Sequence, residues 1–103
     1  MNGLNKKFDQ LNINNNQLNN QTKNYKNGRY VGQIINGLRE GKGIFYWNDG
    51  DRYEGDWRND KREGKGIYYY NNGDRRMGDY LNNNPIGKHA LLTKNGEVST
   101  LNF

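Results

Sequence analysis

The hexapeptide Arg-Glu-Gly-Lys-Gly-Ile stands at Arg39–Ile44 and again at Arg62–Ile67, 23 residues later. Tyr53 follows Tyr30 by the same step, and Gly55 follows Gly32. A duplicated unit of this size cannot bury an apolar face alone, so it must stack on its neighbours. The period divides the chain into an Asn-rich N-terminal tail at 1–24, a partial unit at 25–29, units at 30–52 and 53–75, a degenerate unit at 76–98 and a C-terminal tail at 99–103. Within each unit two runs alternate in polarity with the two-residue period of a strand. In Tyr53-Glu54-Gly55-Asp56-Trp57 the odd positions share one face and the acids point to the other. Asn27-Gly28, Asp49-Gly50, Asn72-Gly73 and Asn95-Gly96 supply the strongest short hairpin signal, because these residues tolerate positive φ. The stretch Asn59–Glu63 reads as a longer polar loop. The fold class is therefore all-β, with tandem β-hairpins of 23-residue period stacked into one elongated, twisted antiparallel sheet.

The duplicated glycines invite a nucleotide-binding reading, and the spacing rejects it. A phosphate loop places four residues between its first glycine and Gly-Lys, then a Ser or Thr for magnesium. Here Gly37 and Gly41 have three residues between them, and Gly43 follows Lys42. The dinucleotide fingerprint fails because Tyr46 stands where its third glycine belongs. Glycine weakens a strand unless something needs the missing side chain. With 31% hydrophobic residues but 13% aromatic, eight of them Tyr, apolar burial must come from rings. Gly41, Gly43, Gly64 and Gly66, in phase with Tyr and Trp, are expected to be sockets for rings from neighbouring strands. Gly32, Gly55 and Gly78 complete the set of structural glycines.

Tyr53-Glu54-Gly55-Asp56-Trp57, followed by Gly64-Lys65-Gly66 and the Asn72-Gly73 turn, closely resembles the MORN repeat (membrane occupation and recognition nexus). Its pattern is Tyr-x-Gly-x-Trp, a polar loop with Gly-x-Gly, and an Asp/Asn-Gly turn. The first unit replaces the Trp by Ile34, and the third departs at Arg76, Tyr80 and His89. The resemblance covers residues 25–98. It implies a hairpin-stacked sheet and a non-catalytic scaffold that binds partner helices or extended peptides along an aromatic groove. It also implies self-association, a place in a cytoskeletal, ciliary or membrane-junction assembly, and for some members acidic phospholipids. Tyr30, Trp47, Tyr53, Trp57, Tyr68, Tyr70 and Tyr80 are the rings expected to line that groove.

Other chemistries find no support in the residues. Nucleophilic catalysis needs a nucleophile, a base and an orienting group. The chain offers Ser99 near its end, the single His89 and no Cys, so no catalytic residue is assigned and the protein is not expected to be an enzyme. The lack of Cys also removes disulfides and thiolate metal sites, and makes a reducing intracellular setting the default. Asp49, Asp51, Glu54 and Asp56 crowd one turn, but Tyr53 and Glu54 occupy places where a calcium loop needs an oxygen ligand and glycine. These acids are expected to cap turns and pair with Arg52 or Arg58, and no metal or cofactor is assigned. The net charge of +5 lies mostly in residues 1–29, where Lys6, Lys7, Lys23, Lys26 and Arg29 face Asp9 alone. The repeated body is close to neutral, so nucleic acid is not expected and an acidic lipid would be drawn mainly by the tail. No apolar run approaches a membrane span, and the N-terminal residues lack a secretory hydrophobic stretch. In the tail, Leu4, Phe8, Leu11 and Leu18 fall on one face of a helix and are expected to dock on a partner or on the first hairpin.

Overall fold

A computed structural model describes residues 20–103. The tail residues Leu4, Phe8, Leu11 and Leu18, expected to dock, lie outside the described residues. Eight strands follow in chain order: β1 Gln21–Tyr25, β2 Gly28–Ile35, β3 Leu38–Trp47, β4 Arg52–Arg58, β5 Lys61–Tyr69, β6 Arg75–Leu81, β7 Asn84–Leu92 and β8 Val98–Asn102. Each pairs antiparallel with the next, giving one sheet in the order β1 to β8. The registers repeat with the sequence: Gly32 faces Gly43 and Tyr30 faces Phe45, while Gly55 faces Gly66 and Tyr53 faces Tyr68. The sheet is thus built as the period requires.

Its turns divide the work differently from the sequence reading. Four connections are two residues long: Lys26-Asn27 between β1 and β2, and Asn36-Gly37, Asn59-Asp60 and Asn82-Asn83; all six residues of the last three have positive φ. This is the backbone that matches the twist of paired strands. Asn59–Glu63 is therefore no long loop, and β5 starts at Lys61. Asn and Asp reach the left-handed region without glycine, so the pair Asn59-Asp60 hides a hairpin behind a polar stretch. The Asp49-Gly50 and Asn72-Gly73 dipeptides sit instead in wider connections, closed by Trp47 N–H to Asp51 O (2.9 Å) and Tyr70 N–H to Asp74 O (2.9 Å). Gly28 belongs to no turn. It lies buried in β2 opposite Trp47, where a Cβ would come within 2.2 Å of the Tyr46 carbonyl and 2.6 Å of the Phe45 ring.

The sheet also runs further at both ends than the repeat count gives. Gln21–Asn24, assigned by sequence to the tail, form β1 with Tyr25, and Ser99–Asn102 lie in β8. Both segments pair fully with the neighbouring strand. Edge strands need only one partner and one packed face, so weak apolar patterning does not bar a polar segment from the edge.

One face of the sheet carries the core, formed by Tyr30, Phe45, Tyr53, Trp57 and Tyr80, with Tyr25, Ile34, Trp47 and Tyr68 packed against it. Gly43 and Gly66 are ring sockets as expected: a Cβ there would lie 2.1 Å from the Tyr30 hydroxyl oxygen and 2.3 Å from the Tyr53 ring. Gly41 and Gly64 are not. They hold φ of +70° and +87°, and the nearest atoms are side-chain oxygens of Gln33 and Asp56. The register slips at these positions, and Gln33 and Asp56 reach across to accept the Lys42 and Lys65 amides at 2.9 and 3.1 Å. These two glycines make the bulge that lets strands of unequal length pair.

The degenerate third unit keeps the same packing by exchanging two residues. In the first two units the hydroxyl of the leading tyrosine donates back to its own strand, Tyr30 to Gln33 O at 2.8 Å and Tyr53 to Asp56 O at 3.0 Å. The third unit has Arg76 in that place and His89 where the socket glycine belongs. The His89 imidazole lies over Gly78, 2.3 Å from where a Cβ would stand, and its Nε2 is 2.9 Å from Asp79 O. One ring leaves the pocket and another enters from the opposite strand, making the equivalent bond. An Nε2–H tautomer is required to donate it.

Candidate functional site

On the core face the rings form two ranks. The inner rank runs from Tyr30 through Trp57, Tyr53 and Tyr80 to His89 and Phe103, with successive ring centroids 4.9–5.4 Å apart and edges turned to faces. The outer rank runs Tyr25, Phe45, Trp47, Tyr68, Tyr70 at 4.8–5.5 Å. Ring pairs at these separations contribute beyond the area they bury. The strand alternation produces both ranks, because alternate residues of each strand point to this face.

Three arginines bridge the ranks. Arg39 lies over Tyr25, Phe45 and Trp57, its guanidinium 4.5 Å from the Trp57 ring. Arg62 lies over Trp47, Tyr53 and Tyr80 at 5.6–5.8 Å. Arg76 lies over Tyr68, Tyr70 and Phe103 at 5.1–5.7 Å. Guanidinium stacking over ring faces suits Arg better than Lys. Between the first two arginines is a cleft of about 320 Å³, lined by Tyr25, Asn27, Phe45, Trp47, Trp57 and Asn83 besides Arg39 and Arg62.

Their electrostatics differ. Asp60 pairs with Arg39, Nε to Oδ1 at 2.6 Å, and although burial opposes ionisation, the Arg39 hydrogen bonds hold the Asp60 carboxyl below the usual carboxylate range. The residue equivalent to Asp60 in the next repeat is Asn83. It keeps the neutral bonds, accepting the Arg62 amide at 2.9 Å and the Arg62 Nη2 at 2.8 Å on its backbone carbonyl. Burial lowers the Arg62 pKa, and the nearby tyrosines only partly oppose it. Burial likewise pushes the Tyr30 and Tyr53 hydroxyls far above their ordinary value, and that of Tyr68, which donates to Asp51 at 2.8 Å. All three are neutral near pH 7.

All seven groove rings named from sequence lie on this face, and the structure divides them. Tyr30, Tyr53, Trp57 and Tyr80 are sealed, at most 4% exposed. Trp47, Tyr68 and Tyr70 keep part of their surface open. Phe45, Tyr25, the three arginines and Asp60 belong to the same surface and were missed by sequence. The signal was present in the 23-residue spacing of Arg39 and Arg62, which glycine counting passed over.

The opposite face sets matched charges beside an apolar row that includes Val31, Ile44, Ile67 and Met77. Lys42 pairs with Asp56, Arg52 with Glu54 at 2.6 Å, and Lys65 with Asp79 at 3.2 Å. Asp49 and Asp51 cap turn amides, of Asp51 at 3.0 Å and Asn71 at 2.8 Å. The acids that crowd the sequence here are thus engaged by turns and by Arg52.

The profile of the MORN repeat matches residues 30–52 and 53–75, the two units delimited by the period. The chain carries two tandem MORN repeats. No curated protein matches the chain. In the second MORN repeat the Tyr-x-Gly-x-Trp segment is β4, and its Tyr53 and Trp57 join the buried rank; in the first, β2 contributes Tyr30 with Ile34 in the Trp place, packed against the core. The Arg of Arg-Glu-Gly-Lys-Gly stands between the ranks. MORN repeats are generally interaction modules rather than catalysts. Among the described residues no helix is long and apolar enough to cross a membrane.

Proposed function

We propose that this MORN chain is a non-catalytic scaffold module that holds a helix or extended peptide of a protein partner on its ring face. The assembly it serves is, by family resemblance, cytoskeletal or ciliary. The observation that carries the reading is the outer rank. Trp47, Tyr68 and Tyr70 are partly exposed, contiguous, and backed by the sealed rings Tyr30, Tyr53, Trp57 and Tyr80 of the inner rank. Exposed aromatic anchors on a rigid floor are the ingredients of a binding hot spot. The sealed rings Tyr30, Tyr53, Trp57 and Tyr80 then act as the floor, and contact falls to the outer rank.

Crosslinking in native extract tests this. Trp47→Ala combined with Tyr70→Ala should abolish crosslinks formed by the wild-type chain while leaving a folded protein. Unchanged crosslinks in that variant would remove the ring face from consideration. Acidic phospholipid is the second reading, favoured by the basic excess of the sequence. The structure adds little to it, since Lys42 and Lys65 on the opposite face each hold a carboxylate. Flotation with phosphatidylserine vesicles separates the two.

A further inference from the structure

The two MORN repeats differ at one chemically decisive position. In the first, Arg39 receives the Asp60 carboxylate from the following tight turn, through Nε at 2.6 Å. In the second, the turn offers Asn83, which satisfies the Arg62 amide and Nη2 but brings no charge. Among the described residues Arg62 has no ion pair, and its Nε and Nη1 have no hydrogen-bond partner. Its guanidinium lies over the rings of Trp47, Tyr53 and Tyr80 at 5.6–5.8 Å, none of which carries a negative charge near pH 7. Arg76 also lacks a carboxylate, bonding the Tyr80 hydroxyl at 3.1 Å and that of Tyr70. Among the described residues, then, the three guanidinium groups of the ring face make one ion pair, Arg39 with Asp60, while the Asp51 carboxylate at its margin is taken by the Tyr68 hydroxyl.

A half-buried cation without a counter-ion is costly, and a partner that brings the anion recovers a charge-assisted bond in a weakly solvated site. We infer that Arg62 is a carboxylate-accepting subsite, which takes an Asp or Glu side chain of a partner peptide whose apolar neighbour packs on Trp47. The first repeat fixes the chemistry: the same arginine position, over the same kind of rings, is already filled by a carboxylate. The cleft between Arg39 and Arg62 is open and lined by Trp47 and Asn83. This inference rests on the proposed peptide-binding role of the ring face and specifies the partner's charge.

The chain supplies its own test. Asn83→Asp installs the missing carboxylate at a backbone position (φ +73°) that Asp60 already occupies in the first repeat at +71°. A random dodecapeptide library displayed on phage is selected in parallel on the full wild-type chain and on Asn83→Asp. Selected sequences are then made as synthetic peptides and titrated by fluorescence anisotropy, with Arg62→Gln as a further variant. Wild type should enrich peptides carrying Asp or Glu beside an aromatic or aliphatic residue. Those peptides should bind at least about tenfold more weakly to both variants, the loss of one charge-assisted contact. Asn83→Asp should melt no lower than wild type, which separates occlusion from unfolding. Enriched peptides without acids, or equal binding to wild type and Asn83→Asp, would overturn the subsite while leaving the ring face as a peptide surface. No enrichment on either protein would overturn the peptide-binding role itself. Binding to phosphatidylserine vesicles that falls in Asn83→Asp, without any peptide binding, would assign the slot to a lipid headgroup and defeat the inference.

Discussion

Tyr53 and Gly66 show how one residue is specified by the absence of another. The Tyr53 ring is sealed and its hydroxyl is bonded to Asp56 O, so it cannot retreat from an atom added at Gly66. Gly66→Ala would place its Cβ 2.3 Å from the ring. A loss of about 2 kcal/mol or more is expected in urea unfolding, as for overpacked cores. Gly37→Ala is the control: φ is +80° with open space around it, so only backbone strain of about 1 kcal/mol is expected. Similar losses at both sites would mean that Gly66 is chosen for conformation and not for the ring. Trp57 is 4% exposed and its Nε1 donates to Gly43 O at 3.1 Å, whereas Glu54 lies on the charged face with Arg52. Trp57→Ala should therefore cost about 3 kcal/mol or more by cavity formation. Glu54→Ala should cost under about 0.5 kcal/mol, as a surface change does. Equal costs would contradict the strand register.

At the scale of the element, the hairpin is the unit that was legible and its connections were not. The two-residue alternation and the duplicated glycines announced the strands, because both follow from pleat geometry and repeat stacking. The tight turns Asn59-Asp60 and Asn82-Asn83 escaped, because they reach positive φ without the glycine that usually marks it. The arginine bridges escaped for another reason: a guanidinium over rings looks in sequence like any surface charge. The third unit was the hardest case, since its pocket survives only through the paired change to Arg76 and His89. That exchange is itself testable. Arg76→Tyr alone would drive a second ring into the place His89 fills, and His89→Gly alone would empty it. The double variant restores the Tyr-over-Gly arrangement of Tyr53 on Gly66. In a double-mutant cycle followed by chemical unfolding, the pair should be more stable than the sum of the single losses by about 1 kcal/mol or more, as for residues sharing one cavity. Additive losses would show that the two positions do not share a pocket.

For the whole molecule, the ring core makes stability depend on alkali, and the open sheet makes it depend on concentration. Tyr30 and Tyr53 have an ordinary pKa of 10.0, and burial raises both in the folded chain. Below pH 10 neither state ionises them, so their contribution is complete. Above it the unfolded chain releases protons that the folded chain keeps, so stability should fall by about 1.4 kcal/mol per pH unit for each tyrosine. Urea unfolding across this range should show the fall, and Tyr53→Phe should make it shallower. A stability that stays flat above pH 10 would mean the hydroxyls are reached by water. Association follows from the edges. β8 pairs with β7 on one side, and no described strand covers the other. Every residue of β8 is exposed, with Val98 at 73% and Phe103, just beyond it, at 54%. An edge with apolar residues and unpaired amides is a template for a second strand. Two well-formed repeats flanked by altered ones also bury less than the three or more that such arrays usually need. The isolated chain should therefore self-associate, its sedimentation coefficient rising between about 1 and 100 µM, and Val98→Lys should suppress the rise by charging the edge. A monomer over that whole range with a sharp, high melting transition would show that the ring face suffices by itself. Association undiminished by Val98→Lys but lost in the Trp47→Ala variant would move the contact from the β8 edge to the outer rank of rings.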